Sequence, residues 1–134
     1  MQRIKNLLGP KLLGVLALLY TVLLTTVSVS EIENLPKMPL FPMQDKVAHI
    51  IAYLILGASW GLYWMVKSKP KSVHPYFTVL LLGGLIYGTV IEVMQQQLTV
   101  SRSADVFDIF ANVLGMLIGA ILGQWFYNRV LTVK

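Results

Sequence analysis

The chain contains no cysteine, which excludes disulfides, thiolate metal sites and cysteine nucleophiles together. Charge is scarce as well: only 13% of the 134 residues are Asp, Glu, Lys or Arg, about half of the roughly 25% found in a soluble domain. There is no P-loop, no Gly-x-Gly-x-x-Gly fingerprint and no Gly-x-Ser-x-Gly elbow, so soluble nucleotide chemistry and elbow-type hydrolysis have no sequence support. What the chain has in quantity is apolar side chain, 56% of all residues, with Lys plus Arg (11) exceeding Asp plus Glu (6) for a formal charge of +5. In so apolar a chain that excess marks loops on one side of a membrane rather than nucleic-acid binding. The length predicts one domain covering 1–134.

A helix needs about 20 apolar residues to cross a hydrocarbon core of ~30 Å. Four stretches meet this, at 12–29, 47–66, 76–98 and 104–127. Backbone amides cannot stay unpaired in lipid, and no alternating barrel pattern is present, so the fold class is all-α, a four-helix transmembrane bundle. Pro36, Pro39 and Pro42 interrupt the first connection, and Pro70 and Pro75 the second. The first stretch, preceded by Arg3 and Lys5 and ending near Ser28-Val29-Ser30, has features of a cleavable signal peptide. It is longer than the usual 7–15-residue signal core and is read as a retained span.

Basic residues set the orientation. Arg3, Lys5, Lys11, Lys67, Lys69, Lys71, Arg129 and Lys134 fall on one side, and only Lys37, Lys46 and Arg102 on the other. The positive-inside rule therefore predicts an N-in/C-in, multi-pass protein of the cell (plasma) membrane, in contact with membrane lipids. Trp60, Tyr63, Trp64, Tyr76, Trp125 and Tyr127 cluster at the predicted cytoplasmic interface, as an aromatic belt.

Ionisable groups in a bilayer cost at least ~2.5 kcal/mol each at mid-depth, so their placement is informative. Asp45, Lys46 and His49 open the second span, Glu92, Gln95, Gln96 and Gln97 close the third, and Arg102, Asp105, Asp108 and Asn112 lead into the fourth. All are predicted at the external face. Asp45, His49 and Tyr53 repeat every four residues, and Asp105, Asp108, Asn112, Gly115 and Gly119 repeat at three or four, so each set forms one helical stripe. Glu92, Gln95 and Gln96 are expected to share a face, with Glu92 about 9 Å below the helix end at ~1.5 Å per residue. Glycine pairs at 57/61, 84/88, 115/119 and 119/123 predict close approach of the last three spans. The first span has no such pair and is placed at the periphery; its Tyr20, Thr21, Thr25 and Thr26 are read as adding little specificity.

On these residues the chain resembles the VanZ-like family of bacterial membrane proteins. The resemblance rests on Asp45-Lys46-x-x-His49 with Tyr53, Glu92-x-x-Gln95, Arg102, Asp105-x-x-Asp108 and Asn112-x-x-Gly115. It spans residues 45–115, with the four-span layout covering the whole chain. The short connection from Gln97 to Arg102 departs from the longer loop of some relatives and narrows access. The resemblance implies a bacterial cell-membrane protein and a link to teicoplanin-type glycopeptide resistance, but it supplies no mechanism.

Three readings follow from the residues. The first is a binding site in which Lys46 and Arg102 receive an anionic cell-envelope ligand, a lipid-linked intermediate or a glycan, while Glu92, Asp105 and Asp108 hold the two cations. The second is an enzyme acting on a lipid-linked substrate, with His49 and Glu92 as the catalytic candidates, either as an acid and base pair or with Asp105 and Asp108 around a divalent metal. No resident metal or cofactor is assigned. The third is a helix staple or assembly protein, including an oligomer through the glycine faces. Interhelical hydrogen bonds in membranes average only ~0.6 kcal/mol, a small return for burying Glu92 and Asp108, so binding is favoured over stapling.

Overall fold

The computed structural model describes residues 9–30, 43–70, 72–98 and 105–132. Arg102, the proline-rich first connection, Arg3, Lys5, Lys71 and Lys134 lie outside the described residues. Four helices account for nearly everything described: α1 (Pro10–Val29), α2 (Gln44–Ser68), α3 (His74–Leu98) and α4 (Val106–Phe126), the last continued by a π-helical segment, Tyr127–Leu131. All four are long and apolar enough to cross a membrane. Each corresponds to a predicted span, α4 starting at Val106 rather than at 104. The largest boundary difference is at α2, which begins at Gln44 rather than at 47. Asp45 in its first turn is favoured there by the positive end of the helix dipole, so the helix runs through residues at which an apolar count stops. It ends at Lys69, whose left-handed conformation (φ 45°) lets its N–H donate to the Met65 carbonyl at 3.0 Å.

Helix directions follow from which residues touch. Tyr20 Oη donates to the Ala52 carbonyl at 2.9 Å and Gly14 packs on Tyr63, so α1 and α2 are antiparallel. Gly115 lies against Ile50 and Leu54, Gly119 against Leu54 and Ala58, and Gly123 against Ala58 and Leu62, so α2 and α4 run parallel. Gly84 meets Met116 and Gly88 meets Asn112, which makes α3 antiparallel to α4. The result is an up-down-up-down bundle. The N-termini of α2 and α4 and the C-termini of α1 and α3 share one end, termed the polar end below; the opposite end carries Lys11, Lys67, Lys69 and Arg129.

The α2–α4 contact is backbone on backbone. A Cβ added at Gly119 would come within 2.8 Å of Ala58 N and 2.9 Å of Leu54 C, and one at Gly115 would strike the Ile50 carbonyl. Only glycine permits this separation, and the short distance is what carries α2 and α4 side chains into mutual reach. Tyr53, Leu56 and Met116 form the buried core beside it. The glycine pairs are thus occupied within the chain rather than presented outward.

α1 is peripheral: of its residues only Leu13 and Ala17 are buried, while Leu18, Leu19, Val22 and Leu23 are all more than half exposed. Polar contacts fasten it, contrary to the reading of its hydroxyls as unspecific. Trp60 Nε1 donates to Thr21 Oγ1 at 3.0 Å, Thr25 and Tyr87 share a hydrogen bond of 2.8 Å, and Gln95 Nε2 donates to the Ser28 carbonyl at 3.0 Å. A leucine surface has no preference between lipid and a neighbouring helix, so hydrogen bonds decide where α1 sits. The aromatic belt also needs one correction. Trp64 and Trp125 are exposed, but Tyr76 is buried at 3%, its hydroxyl fitted against the bare backbone of Gly61.

Candidate functional site

The polar end owes its charge distribution to two parallel helix starts. Asp105 is the N-cap of α4, its Oδ1 accepting the Phe107 N–H at 2.9 Å, and this places Asp108 in the first turn. Asp45 holds the corresponding place on α2. Both helix dipoles present their positive ends here, which stabilises carboxylates. α3 arrives from the other direction and contributes Glu92 and Gln95 from its last two turns.

Lys46 bridges to α4, donating to Asp105 Oδ2 at 2.6 Å and to Asp108 Oδ1 at 3.0 Å. Its ammonium, followed by the Phe107 N–H, holds the Asp105 carboxyl below the usual carboxylate range. His49 stands one turn deeper, with Nδ1 2.9 Å from Asn112 Oδ1. An amide oxygen only accepts, so Nδ1 donates in this pair and Nε2 is the ring nitrogen turned away from Asn112. That nitrogen lies 3.9 Å from Asp108 Oδ2 and 4.0 Å from Asp45 Oδ1. Glu92, 3% exposed, receives a hydrogen bond from the Asp105 backbone N–H, but its Oε1, 3.9 Å from His49 Nδ1, has no hydrogen-bond partner. Tyr53 Oη and Asn112 Nδ2 are also buried without partners, and both flank the bare backbone of Gly88.

Nine of the ten residues singled out by sequence therefore gather at this end: Asp45, Lys46, His49 and Tyr53 from α2, Glu92 and Gln95 from α3, Asp108 and Asn112 from α4, with Asp105 as its cap. The tenth, Arg102, lies outside the described residues. Gln96 does not join them: it is exposed, whereas Gln95 is 4% exposed. At about 100° per residue the buried face of α3, through Gly84, Gly88, Ile91 and Gln95, centres to one side of Glu92, and Gln96 turns to the other. Residues missed from sequence are Ser28 of α1, whose carbonyl holds Gln95, and Tyr87, which ties Thr25 to the core. Matching hydroxyls and aromatics at similar depth on α1, α2 and α3 was the available signal.

Among the described residues the cluster holds four carboxylates and one ammonium, Lys46 pairing with Asp105 and Asp108 while Asp45 and Glu92 stand near His49, so carboxylates outnumber ammonium groups. Lys46 is already doubly engaged. The donor set suits a divalent cation. Asp45, His49 and Asp108 each offer a ligand atom, all within 4.8 Å of one another. Two ligands of one ion at ~2.1 Å stand about 3 Å apart in cis and about 4.2 Å in trans, so a rotamer adjustment of well under 1 Å brings the trio to bonding distance. Imidazole with carboxylates accommodates Mn²⁺ or Zn²⁺, and Asn112 supplies the outer hydrogen bond that fixes a ligating histidine. A cavity of about 150 Å³ opens beside His49 between α1 and α2, bounded by Ser28, Asp45, Tyr53 and Gln95.

A family profile described as VanZ/LLP1 matches residues 8–127. The chain is also similar to an uncharacterized protein, C11E3.10, of Schizosaccharomyces pombe, 28% identical over 94 residues that make up 70% of this chain and 54% of that protein. It thus spans about half the length of the curated relative it matches. That relative is fungal. No solved structure matches the chain.

Proposed function

As the chain belongs to the VanZ/LLP1 family, we propose that this multi-pass membrane protein binds an anionic, lipid-linked cell-envelope intermediate through a divalent cation held at its polar end. The carrying observation is the trio of Asp45, His49 and Asp108 with the buried Glu92 beside it, whose Oε1 has no hydrogen-bond partner. A cluster in which carboxylates outnumber ammonium groups repels a bare phosphate; a cation shared with the carboxylates reverses that, leaving Lys46 and Arg102 to add charge at the rim. The cavity between α1 and α2 admits the headgroup from the lipid side. In this reading both termini are cytoplasmic and the polar end faces outward. In a bacterial cell, occupying such an intermediate would alter what a glycopeptide drug reaches.

The test uses the purified full chain in nanodiscs, with Mn²⁺ binding followed by electron paramagnetic resonance and retention of a polyprenyl phosphate followed by mass. His49→Ala and Asp108→Asn each lower Mn²⁺ affinity at least ~10-fold, and Asn112→Ala, an outer-shell change, lowers it about 10–100-fold. The phosphate lipid is retained with Mn²⁺ and released by a chelator. Normally folded variants with unchanged Mn²⁺ affinity sink the cation reading. If lipid retention then depends only on Lys46 and Arg102, direct anion binding takes its place. Orientation is tested by single introduced cysteines, which label without background because the chain has none.

A hydrolytic enzyme is the second reading, favoured by Glu92 Oε1, which is buried, unpartnered and close to His49. Glu92 would take a proton from water as its oxygen bonds to phosphorus. The phosphorus–oxygen bond to the leaving group then breaks, and the proton passes to that oxygen. Glu92→Gln separates the two: it abolishes phosphate release from a lipid phosphoanhydride while Mn²⁺ and lipid binding persist. If no release is detected from the unaltered chain, the protein binds without catalysing.

A further inference from the structure

The six acidic residues of the chain are Glu31, Glu33, Asp45, Glu92, Asp105 and Asp108. The last four belong to the polar end, and Glu31 and Glu33 follow α1 in sequence. Among the described residues no acidic side chain stands at the opposite end, where Lys11, Lys67, Lys69 and Arg129 lie near helix termini. Ion pairs among the described residues likewise involve only Lys46 and His49. Among the described residues, then, the basic end has no side-chain counter-charge, and an external anion can supply it.

Two of these cations share one feature. Lys11 and Lys67 stand on a cleft of about 580 Å³ between the ends of α1 and α2, inside the ~300–1,000 Å³ range of small-molecule sites. Its walls are almost wholly apolar, with Val15 and Leu18 on α1 facing Trp60 on α2. Lys67 is held in place, with Nζ 2.8 Å from Tyr63 Oη and 5.2 Å from the centre of that ring. Gly14 lets the Tyr63 ring pack directly on the α1 backbone, which closes the floor of the cleft. Lys11 and Lys67 belong to the lining near the helix ends, where a bilayer would place headgroups, and Val15, Leu18 and Trp60 offer apolar surface of the kind an acyl chain contacts.

The geometry points to a binding site for one anionic phospholipid in this cleft, its phosphate between Lys11 and Lys67 and one acyl chain along Val15, Leu18 and Trp60. A polar zwitterionic lipid gains the same apolar contact but cancels the charge term, so the site selects by headgroup. It is independent of the acidic cluster at the other end.

The experiment is native mass spectrometry of the delipidated full chain in detergent, titrated with phosphatidylglycerol or phosphatidylcholine. Phosphatidylglycerol binds preferentially with a stoichiometry of one. K11Q/K67Q lowers its affinity about 30-fold, about fivefold per lysine, whereas K69Q/R129Q, which removes equal charge outside the cleft, changes it less than about threefold. V15W fills the cleft and weakens binding without touching charge. Equal binding of the two lipids overturns the site. So does an equal loss in the two double variants, which marks a diffuse field, and so does displacement of the lipid by free glycerol phosphate at matched concentration. If K11Q/K67Q fails to fold, V15W decides: unchanged lipid binding in that variant overturns the proposal.

Discussion

Gly119→Ala tests whether helix packing deep in the bundle sets the geometry of the polar site. Gly119 lies 11 residues after Asp108, about 16 Å further down α4 at ~1.5 Å per residue. The new Cβ meets Ala58 N at 2.8 Å and Leu54 C at 2.9 Å, with the Leu54 carbonyl oxygen closer still. Comfortable non-bonded separations begin near ~3.5 Å, so α2 and α4 must part by at least ~0.7 Å. The neighbours are backbone atoms of a helix and cannot rotate away. Overpacking of this kind costs about 1–3 kcal/mol. Parted by that amount, Lys46 and Asp108, now at 3.0 Å, and His49 and Asn112, now at 2.9 Å, reach roughly 3.7 Å and 3.6 Å, past hydrogen-bonding range. The assay is equilibrium unfolding in mixed micelles followed by tryptophan fluorescence, with Mn²⁺ affinity measured on the same samples. Gly83→Ala is the control, because a Cβ there has nothing within 4 Å. The expected result is a loss of stability and of Mn²⁺ affinity in Gly119→Ala alone. A Gly119→Ala protein as stable as Gly83→Ala would refute the packing argument. A destabilised one with unaltered Mn²⁺ affinity would refute the link between packing and site.

Three further outcomes are expected. Lys46→Met leaves Asp105 and Asp108 without their shared counter-ion and destabilises the chain, while adding Asp108→Asn recovers part of the loss; a double-mutant cycle that shows strict additivity contradicts the bridge. Because the Lys46 ammonium depresses the Asp105 pKa, its contribution is fully present above the ordinary aspartate value of ~3.9 and is lost as pH falls below it. Melting profiles of the unaltered chain and Asp105→Asn should therefore converge at low pH, and a constant gap across the titration would exclude the pair as its source. Tyr20→Phe with Thr25→Val removes two fastenings of α1, at ~0.6 kcal/mol for a typical interhelical bond. That change should raise cross-linking between α1 and added lipid probes while Mn²⁺ affinity holds.

Length and apolar composition made the helices legible, because a spanning segment must satisfy its own backbone hydrogen bonds. The stripes Asp45-His49-Tyr53 and Asp108-Asn112-Gly115-Gly119 were legible for the same reason: helical geometry fixes which residues share a face. Gln96 was misassigned, since periodicity says which residues lie together but not how far a buried face extends around the helix. Tyr20, Thr21 and Thr25 were undervalued, since a hydroxyl in a leucine-rich helix shows its purpose only when its partner on another helix is known.

Sequence by itself determined four apolar helices, the polar end where ionisable groups collect, and the parallel course of α2 and α4 that follows from alternating spans. The pairing within the cluster was decided only by tertiary structure: Lys46 to Asp105 and Asp108, Asn112 to His49 Nδ1, and Glu92 Oε1 left unpartnered. Those pairings depend on axial register and on separations of a few tenths of an ångström. Such distances are set by bare backbone at Gly115 and Gly119, far along the chain from the charges they bring together.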